Sequence, residues 1–304
     1  MKILVTGGLG FIGKYLVDYL LKKKIQVIIF DNFSNSREEV KNAFANKGIK
    51  IIKGDITNVN QIMDALKNVD VVVHLAAKIS VEESIKNPLE TFQVNVKGTK
   101  NILEACKKKN IKKIIVASSA AVYGENPSDG KLDEGSNKKP ISPYGESKMI
   151  MEEEIDRFVS ENPDMDCIIL RFFNIFGIGQ SSEYAGVITK FVEKISKNEP
   201  IEIFGDGTQT RDFVSIFDAV NSIYNAIENG KKGIYNIASG NSITIKDLAK
   251  LMIKFSGKNL KIEYLPPKKG EIKFSKADIS LANKEIKYES KTKLEDIKKL
   301  FYEI

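Results

Sequence analysis

Short apolar runs rich in Val and Ile recur through the first half of the chain, at residues 3–5, 27–30, 49–52, 71–73, 114–117 and 167–170. Runs of this length, apolar at successive positions, predict strands buried on both faces of a parallel sheet. Between them, over 11–22, 59–66, 88–107 and 146–159, apolar residues return every three or four positions and predict helices. Asn87 and Pro88 suit a cap and a first helical position. The alternation predicts an α/β fold built on a Rossmann-type doubly wound parallel sheet with right-handed crossovers. After Arg171 the rhythm breaks. Residues 172–186 read as loop, 187–196 as helix, 201–204 as strand and GDGTQTRD (205–212) as a polar turn. A helix follows at about 215–228, then a strand at 234–236, a helix opening at Thr244 and a turn at 266–270. The expected division is a first domain over 1–171, to which part of 212–238 returns, and a smaller carboxy-terminal α/β domain over 172–304.

TGGLGFIG (6–13) joins the first predicted strand to the first predicted helix. It reads as G-x-G-x-x-G from Gly8 or as G-x-x-G-x-x-G from Gly7, with Gly10 and Gly13 common to both. Glycines here allow a tight turn and a close backbone approach to a pyrophosphate. The helix amino-terminus, with Phe11 and Ile12, then supplies free N–H groups and partial positive charge. Asp31 ends the second strand, where an acid about 20 residues on would bond ribose hydroxyls. A carboxylate there would repel a 2′-phosphate, so NAD is expected rather than NADP. As an alternative, Asp31 caps the helix near Ser36.

Tyr144 and Lys148, in SPYGESK, form Tyr-x-x-x-Lys and share a helix face. A free tyrosine, with a pKa of about 10, is a poor base at neutral pH. A nearby ammonium and an oxidised nicotinamide would lower it. Tyr144 could then take a proton from a substrate hydroxyl. Ser118 and Ser119 end the fifth strand, on the edge where open α/β sheets bind ligands. Ser119 could bond the reacting oxygen or serve only as a turn residue.

Composition narrows the alternatives. The 304 residues are 42% hydrophobic and 29% charged, as in soluble globular chains. No run approaches the roughly 20 apolar residues of a membrane span, and MKILVT leads straight into a strand rather than a signal peptide. The net charge of +7 is spread over lysines, with only Arg37, Arg157, Arg171 and Arg211 besides. It reads as a solvated surface rather than a nucleic-acid footprint. Cys106 and Cys167 are distant in sequence and not in metal-binding spacing; we read them as reduced in a cytoplasmic protein, with no metal site. His74, the only histidine, follows an apolar run and is expected in a structural place at a strand end.

Together these residues resemble the extended short-chain dehydrogenase/reductase family, and within it the nucleotide-sugar 4-epimerases of the UDP-glucose 4-epimerase type. The resemblance covers nearly the whole chain. It is carried by TGGLGFIG, DNFS (31–34), GDI (54–56), HLAA (74–77), NVKGT (95–99), SSAAVYG (118–124), PYGESK (143–148), LRFFNIFG (170–177) and GDGTQTRDFV (205–214). It implies that residues 1–171 bind NAD and that 172–304 mainly bind substrate. Gly7, Gly10, Phe11, Ile12, Gly13, Asp31, Asn32 and Ser34 would hold the cofactor, with Asp55 and Ile56 against the adenine. Leu75, Ala76, Ala77, Asn95 and Phe173 would line it. Ser119 would bind the reacting hydroxyl, Tyr144 act as base and acid, and Lys148 hold the nicotinamide ribose. Asn174 and Arg211 would bind the substrate diphosphate, and Lys268 stands where the family usually has a phosphate-binding arginine. Ser275 occupies a position where some members carry a bulky tyrosine, so room for a 2-acetamido group is expected.

The implied reaction is oxidation of a UDP-sugar at C4, rotation of the 4-keto intermediate and reduction from its other face, in a homodimer paired through helices 88–107 and 146–159. Ala120 and Ala121 replace the acids of related dehydratases and decarboxylases. The alternatives are a uronic-acid epimerase or 4-reductase of the same family, and a non-catalytic NAD(H) sensor. The presence of both Tyr144 and Lys148 speaks against the sensor.

Overall fold

The computed structural model describes residues 1–126, 130–180, 186–267 and 272–301. The six early apolar runs form β1 (Lys2–Thr6), β2 (Gln26–Asp31), β3 (Lys50–Lys53), β4 (Val71–His74), β5 (Lys113–Ser119) and β6 (Asp166–Phe172). Later come β7 (Asn174–Phe176), β8 (Ile201–Phe204), β9 (Thr210–Ser215), β10 (Gly233–Ile237), β11 (Ser242–Thr244) and β12 (Ile262–Leu265). Seven strands form one sheet in the order β10-β6-β5-β4-β1-β2-β3. Every neighbouring pair in it is parallel. The chain leaves β1 toward β2 on one side and reaches β4 on the other. This switch point opens a crevice at the carboxyl ends of the strands.

The runs are apolar at successive positions because each strand feeds two cores. Ile3, Val5, Val71, Val73, Ile115, Ile168 and Leu170 face one layer, with the helices Phe11–Lys22 and Ile216–Asn229. Leu4, Val72, Ile114, Val116, Cys167 and Ile169 face the other, with the helices Val59–Ala65, Gly98–Lys108 and Pro143–Glu161. The later chain contributes β10 to this sheet, and the helix Ser280–Ile286 packs beside β10 and Ile216–Asn229. A third core joins the helices Val187–Ser196 and Ile245–Ser256 to the parallel pair β8–β12 through Phe191, Ile203, Leu248 and Met252. Among the described residues no helix is long and apolar enough to cross a membrane.

Three expectations are corrected. The polar stretch 205–212 turns only at its start, because Thr210, Arg211 and Asp212 enter β9 and pair antiparallel with β11. Residues 174–176, expected as loop, form β7 beside β9. In both places a non-local partner supplies the backbone hydrogen bonds that the local pattern does not announce. The helix expected over 88–107 runs as Pro88–Phe92, a π-helical stretch Gln93–Lys97 and Gly98–Lys108. The widened turn carries Asn95 in the interior. The helices Glu38–Asn46, Val81–Lys86 and Ser280–Ile286 have no counterpart in the predicted set.

Leu170 is fully buried between β5 and β10 neighbours. Leu170→Ala is expected to lower the unfolding free energy by about 2–5 kcal/mol, read as a lower urea midpoint at an unchanged m value.

Candidate active site

The turn after β1 is tight because side chains cannot enter it. Gly7 has φ +67°, and a Cβ there would stand 2.8 Å from the Ala76 nitrogen. A Cβ on Gly13 would lie 2.3 Å from the Gly7 carbonyl oxygen. The turn therefore packs backbone to backbone against the end of β4 and delivers the first helical N–H groups, which lack intrahelical acceptors, into the crevice. Asp31 closes the other wall. Its carboxylate accepts from the Leu9 amide at 3.0 Å and the Phe33 amide at 2.8 Å. Burial raises its pKa and those two bonds oppose the rise. A cradle of bare backbone beside a half-used carboxylate fits a pyrophosphate and an adjoining ribose diol, as in a dinucleotide.

One cleft of about 440 Å³ runs along the strand ends. Gly7, Gly10, Phe11, Ile12, Gly13, Asp31, Asn32, Ser34, Asp55, Ile56, Leu75, Ala76, Ala77, Ser119, Tyr144, Lys148 and Phe173 all line it. Asn95 does not. Its amide side chain accepts from the Lys78 amide at 2.8 Å and donates to the Lys78 carbonyl and to Ser147 Oγ, both at 2.9 Å. It shapes the wall through Lys78. Asn174, Arg211 and Ser275 do not line this cleft either, and each is held at or beside β9. Asn174 Nδ2 donates to the Asp212 carbonyl at 3.1 Å, Arg211 Nη1 to the Ile272 carbonyl at 2.7 Å, and the Ser275 amide to Thr210 Oγ1 at 3.4 Å. Asp212 fastens this region, accepting from Ser239, Gly240 and Ala277. Lys268 lies outside the described residues.

The reactive groups come from β5 and the helix Pro143–Glu161, whose start is fixed by Pro143 and by Ser142 capping the Gly145 amide at 3.1 Å. The Tyr144 phenol faces the Ser119 side chain. Lys148, only 4% exposed, donates to the Ala117 carbonyl at 2.8 Å. Burial draws the ammonium down to about 8, opposed by Glu152. The lowered tyrosine pKa expected from sequence is not found in the protein alone. Burial raises the Tyr144 phenol and the Ser119 side chain opposes it, while the Lys148 ammonium is turned to a carbonyl.

His74 takes the structural place expected. Thr99 Oγ1 donates to the Asn95 carbonyl at 2.6 Å, so it accepts from His74 Nε2 at 3.0 Å. His74 Nδ1 therefore accepts from Thr6 Oγ1 at 2.7 Å. Burial, then the charge of Lys148, push the imidazole down to about 3, so it stays neutral.

Other cleft residues were not among those predicted: Leu9, Lys14, Arg37, Lys78 and Glu90. Lys14 directly follows Gly13, which was a usable signal. It donates to the Gly179 carbonyl at 3.2 Å, and Tyr15 donates to the Ile178 carbonyl at 2.9 Å, so the first helix holds the segment after β7 against the cleft. Lys78 pairs with Glu90 at 2.9 Å on the rim.

Residues 3–238 match the NAD dependent epimerase/dehydratase family. The chain belongs to that family. A relative from Methanocaldococcus jannaschii is 40% identical over 278 residues, which span 89% of this chain and 87% of its own. The structure of a UDP-glucose 4-epimerase with UDP-glucose from Thermotoga maritima superposes with a TM-score of 0.94 at 33% identity, covering 100% of this chain and 98% of that one. A UDP-N-acetylglucosamine 4-epimerase from Methanobrevibacter ruminantium, in complex with UDP-N-acetylmuramic acid, gives 0.92 at 37%, covering 99% and 98%. In this epimerase/dehydratase chain the glycine cradle and Asp31 thus belong to a family named for its dependence on NAD.

Gly7→Ala is expected to fail twice over, through its positive φ and through the Ala76 backbone. A lower melting temperature together with weakened NADH fluorescence titration would be the result; unchanged NADH binding would contradict the cradle.

Proposed function

We propose that this chain is an NAD-dependent 4-epimerase of a UDP-sugar, acting on UDP-glucose and UDP-galactose and admitting their N-acetyl forms. The observation that carries the proposal is one cleft with a dinucleotide cradle at one end and a Tyr144–Ser119 pair beside buried Lys148 at the other. Bound NAD would supply reversible two-electron oxidation of the sugar at C4.

The protein's own residues do the rest. Gly7, Gly10, Gly13 and the first helical amides hold the pyrophosphate, Asp31 with Asn32 and Ser34 the adenosine ribose, and Asp55 and Ile56 the adenine. Leu75, Ala76, Ala77 and Phe173 wall the cleft and exclude water. Ser119 orients the sugar hydroxyl, and Tyr144 accepts its proton and later returns it. Lys148 holds the nicotinamide ribose. Asn174, Arg211 and Lys268 grip the diphosphate, so that the sugar can turn while the nucleotide stays bound. The methyl groups of Ala120 and Ala121 cannot transfer the extra proton that loss of water or carbon dioxide requires, which disfavours dehydration and decarboxylation. On this reading residues 1–171 with part of 212–238 serve the cofactor, and the remainder of 172–304 mainly serves the substrate. Ile85, Leu89 and Ile141 leave large apolar surfaces in water, which favours pairing of two copies across the adjoining helices.

Tyr144→Phe is expected to keep NADH binding and to lose turnover by about 10²–10⁴-fold; a fully active variant would rule Tyr144 out as the base. The substrate is read by incubating the purified chain with UDP-glucose, UDP-N-acetylglucosamine and UDP-glucuronate separately and resolving the products by chromatography. The wild type should convert the first two. Ser275→Tyr should keep the first and lose the second, and equal treatment of the N-acetyl sugar by both forms would remove Ser275 as the determinant.

A further inference from the structure

Tyr144, Lys148 and Glu152 stand four residues apart, on one face of the helix Pro143–Glu161. That face meets the end of β5 residue by residue. Tyr144 faces Ser119, Lys148 Nζ donates to the Ala117 carbonyl at 2.8 Å, and Ser118 Oγ donates to Glu152 Oε1 at 2.7 Å. Glu152 is 1% exposed, and so is Arg171 of β6, which forks onto it: Nε to Oε1 at 2.9 Å and Nη2 to Oε2 at 2.7 Å. Arg171 Nη1 donates to the Tyr123 hydroxyl at 2.8 Å and the Glu134 carbonyl at 3.0 Å, and Tyr123 donates to Asn236 of β10 at 2.6 Å. Buried ion pairs are often replaceable by apolar residues without loss of stability. A fully bonded one placed a single helical turn below a buried lysine calls for a reason beyond stability.

We propose that Glu152, fixed by Arg171, is a positioning residue for the Tyr144–Lys148 pair, locking the strand end 117–119 against the helix and supplying the counter-charge of the Lys148 ammonium. This rests on the roles of Tyr144 and Lys148 proposed above. The titratable and charged groups around Lys148 are few. Its own helix presents Tyr144 and Glu152, β4 presents neutral His74, and β5 offers the Ala117 carbonyl and two serine hydroxyls. Arg171 from β6 and Lys138, whose Nζ is 3.7 Å from Glu152 Oε2, act on the carboxylate. Glu152 opposes the burial that draws Lys148 down to about 8. A lysine lowered on folding binds fewer protons in the native state, so stability rises with pH from about 8 toward its unfolded value of about 10.4. Loss of the carboxylate should move the lower edge of that window down.

The test compares urea midpoints of the whole chain with those of Lys148→Met from about pH 6 to about pH 11, in the wild-type background and in Glu152→Gln. Lys148→Met, free of the buried charge, should be the more stable form at low pH, and in the wild-type background the difference should begin to close near pH 8, where Lys148 loses its proton. In Glu152→Gln it should begin to close about one pH unit lower, and the alkaline loss of NADH binding, followed by fluorescence, should move with it. Closure at the same pH in both backgrounds overturns the proposal. Should Glu152→Gln fail to fold with Arg171 left unpaired, Glu152→Gln/Arg171→Met removes both charges and serves as the background, with a shift in the same direction but smaller, because the opposing Arg171 charge goes too. Midpoints that shift in a chain that binds no NADH would keep the positioning role and remove the proposed function. Unshifted midpoints in a chain whose turnover depends on Tyr144 would do the reverse.

Discussion

Burying a lysine ammonium beside a phenol is the constraint to which the rest of the site answers. Taking an ammonium out of water costs several kcal/mol even after relaxation, and Lys148 recovers only part of that through a backbone carbonyl and a nearby carboxylate. The Ala117 bond, and the Ser118–Glu152 bond one helical turn further along, demand that β5 and the helix Pro143–Glu161 keep a fixed separation and register. The apolar side of the same helix sets them. Met151 and Ile155 are buried in the core that also holds Val116 and Ile169, one helical turn from Lys148 and Glu152. The polar site is accurate because the oily one beneath it is close-packed.

A second element ties the two ends of the cleft. The Ala76 amide donates to Thr6 Oγ1, Thr6 to His74, His74 to Thr99, and Thr99 to the Asn95 carbonyl. Asn95 donates to Ser147, and Ser147 donates to the Tyr144 carbonyl at 2.7 Å. The chain has one direction throughout, which requires a neutral imidazole with its proton on Nε2. It starts where Gly7 packs on Ala76 and ends at the backbone of the proposed base. Among the described residues no buried side-chain polar atom is left without a partner, as a buried network must be to be worth keeping.

What could be read from the sequence was whatever repeats or clusters locally. Val and Ile runs announced six strands because both sheet faces are buried, and the helix over 11–22 matches its observed bounds. The glycine loop and the Tyr144–Lys148 spacing were legible because each occupies a single turn. Thr210, Arg211 and Asp212 were not, since a polar stretch becomes a strand only when β11 arrives from thirty residues away in the chain. Asn95 was placed in the cleft by resemblance but serves it through Lys78, a distinction set by the π-helical stretch. Lys14 had a signal in its place directly after Gly13, whereas Arg37 sits in no motif and only folding brings it to the cleft. Glu152 carried a signal that was available, the continued stride of four from Tyr144 and Lys148. Its partner Arg171 is distant in no obvious pattern.

The raised pKa of Tyr144 follows from the same economy of charge. With Lys148 turned to the Ala117 carbonyl, the phenol meets low polarity and one serine hydroxyl, and it stays protonated at neutral pH. Such a tyrosine does not act as a base on its own account. In the proposed reaction it would become one when further positive charge enters the cleft beside it, which an oxidised nicotinamide would bring and a reduced one would not. On the function proposed above, proton acceptance by Tyr144 would then depend on the oxidation state of what the glycine cradle holds. A group that keeps its proton until the cleft is loaded for oxidation suits a reaction that must run in both directions on one bound sugar.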